Sequence, residues 1–518
     1  MQPREACADL PERPLVLAVA ALAPSPPHAG GVAAVRLRRL FADAGYEAPG
    51  VARCLHGTSS PRGLVDRREL HVHRRRLLER EDPLALLISL FLLGDDVMPD
   101  AAERSLLDVG ALLESGLVEE HGGVFRPLVR IVPHDDLLLA SDRDAVDLLP
   151  DHVPGVHRPS ATQAHLTPRR SARLALDVGT GLGIQALLLA RHTERVVATD
   201  VNERALAFSA FNAALNNVGN IELRHGSFFE PVAGERFEIA VANPPYVISP
   251  GNELTYRDGP FPRDGVSEHV VRSLPSLLTE GGVATAMISW VVAEPDRPTA
   301  APRAWLAGSD CDGLLFCTAA EDALSTAASW NRECRHDPEL YAARVDAWAD
   351  FFAGEGIDQI AYGALVMRRH GRGPRWWSEH ALPADSLAPA SDQLERLIHA
   401  EDHLAALDDD ALLDARLLVT PTATVEITHR LETGTWQTET GAIQSSNGIP
   451  LRAHLDETAL DLVRLLDGRQ TLRACLPAVL GGVPTAEAAI QCSHLARGLL
   501  RLGLVAVVDD AGSPARSG

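Results

Sequence analysis

From Leu174 onward the chain alternates short apolar runs with longer amphipathic stretches. Apolar runs at 174–178, 196–199, 221–225, 239–242 and 283–289 have the length of buried strands, and helical periodicity fills the gaps between successive pairs. Strands alternating with helices predict an α/β fold, a doubly wound and mostly parallel sheet covered on both faces. Two later runs, "GLLFCTAA" and "IAYGALVMRRHG", read as strands that complete the far edge of that sheet.

The pattern differs on either side. "VAAVRLRRLFADAGY" has helical spacing, and three short helical patterns lie between residues 82 and 133. "LVEEHGGVFRPLVRIVP" then predicts a two-stranded hairpin turning at His121-Gly122-Gly123. Residues 152–171 are polar and dotted with proline, as in a linker or a lip over the next unit, and residues 372–391 punctuate the chain again. Beyond them "DDDALLD" reads as an acidic surface turn, and "TVEITHRLETGTWQTETGAIQSSNG" as polar strands. The end of the chain has helix–helix–helix–strand character. The organisation expected is a helical, winged-helix-like unit over 1–150, the α/β unit over 151–377, an α+β winged-helix-like unit over 378–510, and a disordered tail over 511–518.

Composition narrows the classes. No run of 18 apolar residues occurs, and the first residues lack the basic-then-apolar order of a secretory signal, so a cytoplasmic protein with no membrane partner is expected. The seven cysteines form no CxxC pair and read as reduced thiols, with no disulfide frame and no metal site. All 48 basic residues are arginine, and the net charge of −22 provides no general basic field for long nucleic acid. The basic stretch 66–80 holds six arginines and two histidines against three acids, and reads as a solvated helix face, with a phosphate-binding surface as the alternative.

The chemistry begins at "LALDVGTGLGIQALLLA", where a strand turns on Gly179, Gly181 and Gly183 into an apolar helix, with Asp177 leading. Glycines here admit positive φ or close approach of a ligand to the backbone, and the helix start offers unpaired N–H groups. "VVATD" follows as the second strand, so Asp200 stands at its carboxyl end, where an acid can accept both ribose hydroxyls of a nucleoside. The spacing is not the G-x-G-x-x-G of a dinucleotide fold. "DVGTGLG" resembles the first motif of class I S-adenosylmethionine-dependent methyltransferases. That resemblance implies S-adenosyl-L-methionine as cofactor. Its methionine part would lie over the loop, organised by Asp177, and its ribose would bind Asp200. Its adenine would lie near Ser227 and Phe228 in "HGSFFEPV", where the family often has aspartate in place of Ser227.

"IAVANPPYVIS" closes the fourth strand with Asn243, Pro244, Pro245 and Tyr246. A planar NH2 group is a poor nucleophile because its lone pair is delocalised. Two acceptors, the Asn243 side chain and the Pro244 carbonyl, can take its two hydrogens and direct its lone pair at a methyl donor. The prolines hold these acceptors in place, and Tyr246 can lie on a planar substrate group. Together with "GSFFEPV" and "NPPYV", these motifs resemble the HemK/PrmC class of protein glutamine-N5 methyltransferases, over about residues 174–289. The flanking units make the chain similar to a large actinobacterial-type variant of that class. The resemblance implies methylation of a glutamine-bearing protein, with Asn243 also beside the cofactor. The alternative acceptor is a nucleic-acid base, adenine N6 or guanine N2, and the remote alternative is a non-catalytic binding module. The sequence does not determine the oligomeric state.

Overall fold

The computed structural model describes residues 24–28, 30–56, 69–78, 80, 82–143, 149–251, 254–371, 375–382 and 387–508. The N-terminal prolines and Cys7, parts of the stretches 66–80 and 372–391, and the tail 511–518 lie outside the described residues.

The N-terminal unit is built from helices α1 (Gly31–Asp43), α2 (Ala48–His56), α3 (Leu70–Leu77), α4 (Pro83–Ile88), α5 (Pro99–Arg104) and α6 (Val109–Glu114). Asp82 and Asp108 start α4 and α6 by accepting from the N–H groups of Ala85 and Ala111, the expected use of an acid at an N-cap. Strands β1 (Val118–His121) and β2 (Val124–Pro127) pair antiparallel around Gly122 and Gly123, both at positive φ. A second hairpin, β3 (Arg130–His134) and β4 (Leu137–Ser141), follows where the sequence pattern had marked only one.

The central unit runs α7 (Arg158–His165), β5 (Ala172–Val178), α8 (Ile184–Leu189), β6 (Thr193–Asp200), α9 (Glu203–Leu215), β7 (Ile221–His225), β8 (Phe237–Ala242), α10 (Gly265–Ser273) and β9 (Leu278–Val291). It continues through α11 (Ala300–Leu306), β10 (Cys311–Asp322), α12 (Ala323–Trp330), α13 (Pro338–Gly354), β11 (Gln359–Arg369) and β12 (Trp377–Ala381). The eight strands stand in the order β12-β10-β11-β9-β8-β5-β6-β7. The five from β9 to β7 are parallel, and β11 enters antiparallel between β9 and β10. This is a doubly wound, Rossmann-like sheet whose strand order reverses between β5 and β8, the switch point outside which such folds bind ligands. β12 pairs with β10, so the sheet runs through Ala381, past residue 377.

The N-terminal unit does not stand apart from this sheet. Leu37, Phe41, Leu87, Phe91 and Ile131 share one buried cluster with Leu187 of α8 and Phe208 and Phe211 of α9. Asn212 of α9 and Asn216, the residue that caps it, exchange hydrogen bonds with the backbone of Ala140 and Leu138 at 2.8–2.9 Å, satisfying an edge that β4 would otherwise leave unpaired. Arg204 and Asp142 add a buried ion pair at 2.5 Å.

The last unit contains α14 (Ser391–Ala406), α15 (Asp409–Asp414), β13 (Arg416–Val419), β14 (Ala423–Glu432), β15 (Thr435–Ser445), β16 (Arg452–Leu455), α16 (Glu457–Leu465), β17 (Asp467–Thr471), α17 (Leu472–Leu480), α18 (Ala486–Arg501) and β18 (Val505–Val508). Its strands form two three-stranded sheets, β17-β13-β18 and β14-β15-β16. Leu394 and Leu397 of α14 are buried against Leu314, Phe316 and Val366 of the large sheet, and Arg368 of β11 bonds both Asp312 and Asp402 of α14.

Candidate active site

The register of the sheet brings the carboxyl ends of β5, β6 and β8 level, with Val178 opposite both Thr199 and Ala242. Gly179, Asp200 and Asn243 therefore leave the sheet side by side. A Cβ on Gly179 would lie 3.7 Å from the Asn243 carbonyl oxygen, so the two turns touch across the switch point.

The glycine loop is held from below. Gly179, Gly181 and Gly183 have φ of +70°, +56° and +90°, a region that side chains disfavour. The N–H groups of Gly179 and Thr180 both donate to the Thr199 carbonyl at 2.9 Å. Asp177 is buried beneath the loop, and one of its oxygens accepts from the Thr180 hydroxyl at 2.7 Å and the Ala186 N–H at 3.0 Å. Burial pushes its pKa up to about 7; the two hydrogen bonds oppose the shift and nearby Asp200 adds to it. Asp200 is half-buried at the end of β6. Its two oxygens accept from the N–H groups of Gly181 and Asn202, each at 2.9 Å, and each keeps a lone pair for a further donor. Burial raises its pKa, and those backbone bonds restrain the rise.

These features fit the cofactor that the motif implies. A Cβ on Gly181 would meet nothing within 4 Å, which leaves its backbone open to close approach. Ser227 and Phe228 follow β7, with Phe228 at φ +44°. Its ring lies 5.1 Å from His269 and 5.9 Å from Phe261, a half-exposed aromatic that sequence reasoning missed, although "GPFPRDG" sets it between two prolines.

The proline turn is held from its flanks. Asn243 is half-buried, with its amide nitrogen directed at the Ser160 hydroxyl at 3.3 Å. Ser160, on α7, is buried, and its hydroxyl lies 3.2 Å from His157 Nδ1. Its carbonyl accepts from Gln185 at 2.7 Å. The Pro244 carbonyl accepts from the Tyr246 N–H at 2.8 Å, which closes a three-residue turn and leaves one lone pair. The Pro245 carbonyl packs against Gly259, where a Cβ would lie 2.8 Å away. Asp258, buried beside it, pairs with Arg257 at 2.7 Å and accepts from the Ser249 hydroxyl at 2.8 Å.

Tyr246 differs from an open platform. Its ring is 8% exposed and packs with Leu166, Val283 and Met287, and burial drives its hydroxyl pKa upward. Ser289 donates to its carbonyl at 2.5 Å. The stretch 152–171, which read as a linker or lip, supplies α7 and thus Ser160, the contact to Asn243. A separate open cleft, lined by Arg170, Arg173, His192, Glu194, Glu238 and Glu280, sits at the amino-terminal edge of the sheet, away from these groups.

Fold and motifs together define a class I methyltransferase domain, and residues 161–257 match the family described as methyltransferase small domain. Residues 43–128 match a domain of unknown function, DUF7059. Within that class the central domain is similar to the HemK/PrmC type. It is 40% identical over 98 residues to a release factor glutamine methyltransferase of Aliivibrio fischeri, covering 18% of this chain and 33% of that protein. It is 27% identical over 191 residues to a ribosomal protein uL3 glutamine methyltransferase of Bradyrhizobium diazoefficiens, covering 34% and 59%. The chain thus spans one third and about three fifths of these two relatives. The crystal structure of a methyltransferase from Pyrococcus furiosus aligns at 14% identity and a TM-score of 0.26, over 42% of this chain and 84% of that one. The strand order, and not that alignment, carries the fold assignment.

Proposed function

We propose that this protein is an S-adenosylmethionine-dependent N-methyltransferase that acts on the side-chain amide of a glutamine in a protein. The observation that carries the reading is the contact between the glycine loop and the NPPY turn at the switch point of the sheet. S-adenosyl-L-methionine, when bound, supplies a methyl group on a sulfonium sulfur. Gly179, Gly181 and Gly183 would let the backbone approach its methionine part, Asp200 would accept from its ribose, and Ser227 and Phe228 would hold its adenine.

Asn243 presents its amide oxygen to the acceptor NH2, because its nitrogen is directed at Ser160. The Pro244 carbonyl takes the second hydrogen with its remaining lone pair. Both acceptors hold the nitrogen in place and stabilise the positive charge that grows on it, and the fixed turn spares their reorganisation. The Tyr246 ring packs against Leu166, Val283 and Met287, and so helps fix the turn that carries both acceptors.

A protein acceptor is favoured over a nucleobase by what occupies the basic stretch. Arg74 pairs with Asp95 at 2.6 Å, Arg80 with Asp82 at 2.8 Å, and Arg76 bonds the Leu55 carbonyl, so these guanidinium groups already have partners. The names of the relatives point the same way, since both are glutamine methyltransferases. Incubation with methyl-labelled cofactor and cell extract, followed by protease or nuclease, tests this. Label released by protease supports a protein acceptor. Label that survives protease and is released by nuclease transfers the reading to a base, and absence of cofactor binding ends the enzymatic reading.

A further inference from the structure

We propose that His56, Glu69 and His73 form a site for one divalent metal ion of the zinc type in the N-terminal unit, independent of the methyltransferase reading. His73 is fully buried on α3, and among the described residues neither of its ring nitrogens has a hydrogen-bond partner. Buried polar atoms are rarely left so, and an imidazole without a donor or acceptor partner is a ligand in search of an ion. Glu69 stands four residues earlier on the same face, and His56 closes α2 across residues 57–68.

The ligand atoms of the three residues lie within 4.8 Å of one another. His73 Nε2 is 3.6 Å from Glu69 Oε2, too long for a hydrogen bond. Two ligands bound at about 2.0–2.1 Å to a tetrahedral ion stand about 3.3–3.4 Å apart, so the pair is within a small adjustment of coordination. The two imidazoles meet edge to face, with centroids 5.1 Å apart and planes at 88°. Two nitrogens and one carboxylate oxygen suit zinc better than magnesium or calcium, and three protein ligands leave a fourth position for water. The Glu69 side chain is 52% exposed, which provides the way in from solvent.

Among the described residues, His56 when protonated and Arg76 both oppose a positive charge on His73, and the Arg76 guanidinium is turned to the Leu55 carbonyl. A second grouping, Asp312, His370 and Asp402, shows the contrast. There Arg368 lies 2.9 Å from Asp312 and 2.6 Å from Asp402, and Trp376 donates to Asp402 at 3.1 Å, so a guanidinium already fills the cationic role. The expectation of no metal site rested on cysteine spacing. This site uses histidine and glutamate from two helices, a pattern with no contiguous motif.

The test is zinc titration of the full-length, metal-stripped protein by calorimetry, beside Glu69→Gln and His56→Gln, with melting temperature followed in parallel. Glu69 is surface-exposed, so its variant should fold even where one at buried His73 does not. The wild type should bind one more equivalent of zinc than either variant, and zinc should raise its melting temperature but not theirs. Cobalt(II) in the wild type should show the intense d–d absorption of a tetrahedral site. Equal stoichiometry and equal thermal shifts in wild type and variants would overturn the proposal.

Discussion

The two turns that meet at the switch point solve the same problem with opposite chemistry. The glycine loop uses residues with the greatest backbone freedom, and so it depends on external bonds: Thr199 to two N–H groups, Asp177 to Thr180 and Ala186, Asp200 to Gly181. The NPPY turn uses residues with little freedom and needs fewer bonds: one closing N–H, the Ser289 hydroxyl to the Tyr246 carbonyl, and a weak contact from Asn243 to Ser160. Backbone entropy explains the division, since each glycine that is ordered loses more freedom than a proline does. Damage to the loop should therefore register mainly in stability and cofactor affinity, and damage to the turn mainly in rate.

The sharpest break of that comparison is Asn243→Ala. Loss of one preset acceptor should lower the methyl-transfer rate by about 10²–10³-fold, with cofactor affinity within about twofold and little change in stability. Single-turnover label transfer and calorimetry read the two quantities, and a wild-type rate would remove Asn243 from the chemistry. Next in size, Gly183→Ala should cost about 2–4 kcal/mol in urea unfolding, because its Cβ would lie 2.5 Å from the Ser209 hydroxyl at φ +90°. Gly181→Ala, with space around it, should cost only the backbone strain, about 1–2 kcal/mol. Equal losses would mean that Ser209 yields freely.

A pH-dependent effect follows from Asp177. Unfolded, it releases its proton near 3.8; folded, it keeps it to about 7. Between those values the folded chain holds more protons, so the contribution of this group is complete below 3.8 and is lost as pH rises toward 7. Asp177→Asn should flatten the fall in stability over that window, by up to about 1.4 kcal/mol per pH unit, as read from unfolding curves at several pH values. An unchanged slope would show that Asp177 is ionised throughout. The smallest effect is expected for Ser160→Ala. Loss of the hydrogen bond that orients Asn243 should lower kcat by about three- to tenfold, and Ser160→Thr should restore it. If KM alone changed, Ser160 would act on binding and not on the orientation of Asn243.

Much of the central sheet was legible because buried parallel strands are short apolar runs, and each of the seven runs marked in the sequence is a strand of the sheet. β12 was not, since "WSEHA" has no apolar pattern and is a strand only because it meets β10 at the edge. The second hairpin was missed for a related reason: β4 is paired on one side by β3, while side chains of α9 bond its backbone, a partnership with no local signature. Ser160, Phe261 and His269 were equally silent. Ser160 and Phe261 come from segments read as connection and His269 from a helix between two strands, and each gains its place only through tertiary packing.

Sequence alone determined which residues could do chemistry at the strand ends: glycines where φ is positive, acids where ligands bear hydroxyls, and an asparagine set among prolines. These are local properties, written in the covalent backbone. Tertiary structure decided which of them work together. It brought Gly179 against Asn243, drove Asp177 under the loop while Asp200 stayed half open, and buried the Tyr246 ring that the motif offered as a platform. It also joined His56 to His73 across two helices. Burial and proximity arise from packing between segments far apart in the chain, and no stretch of sequence specifies them by itself.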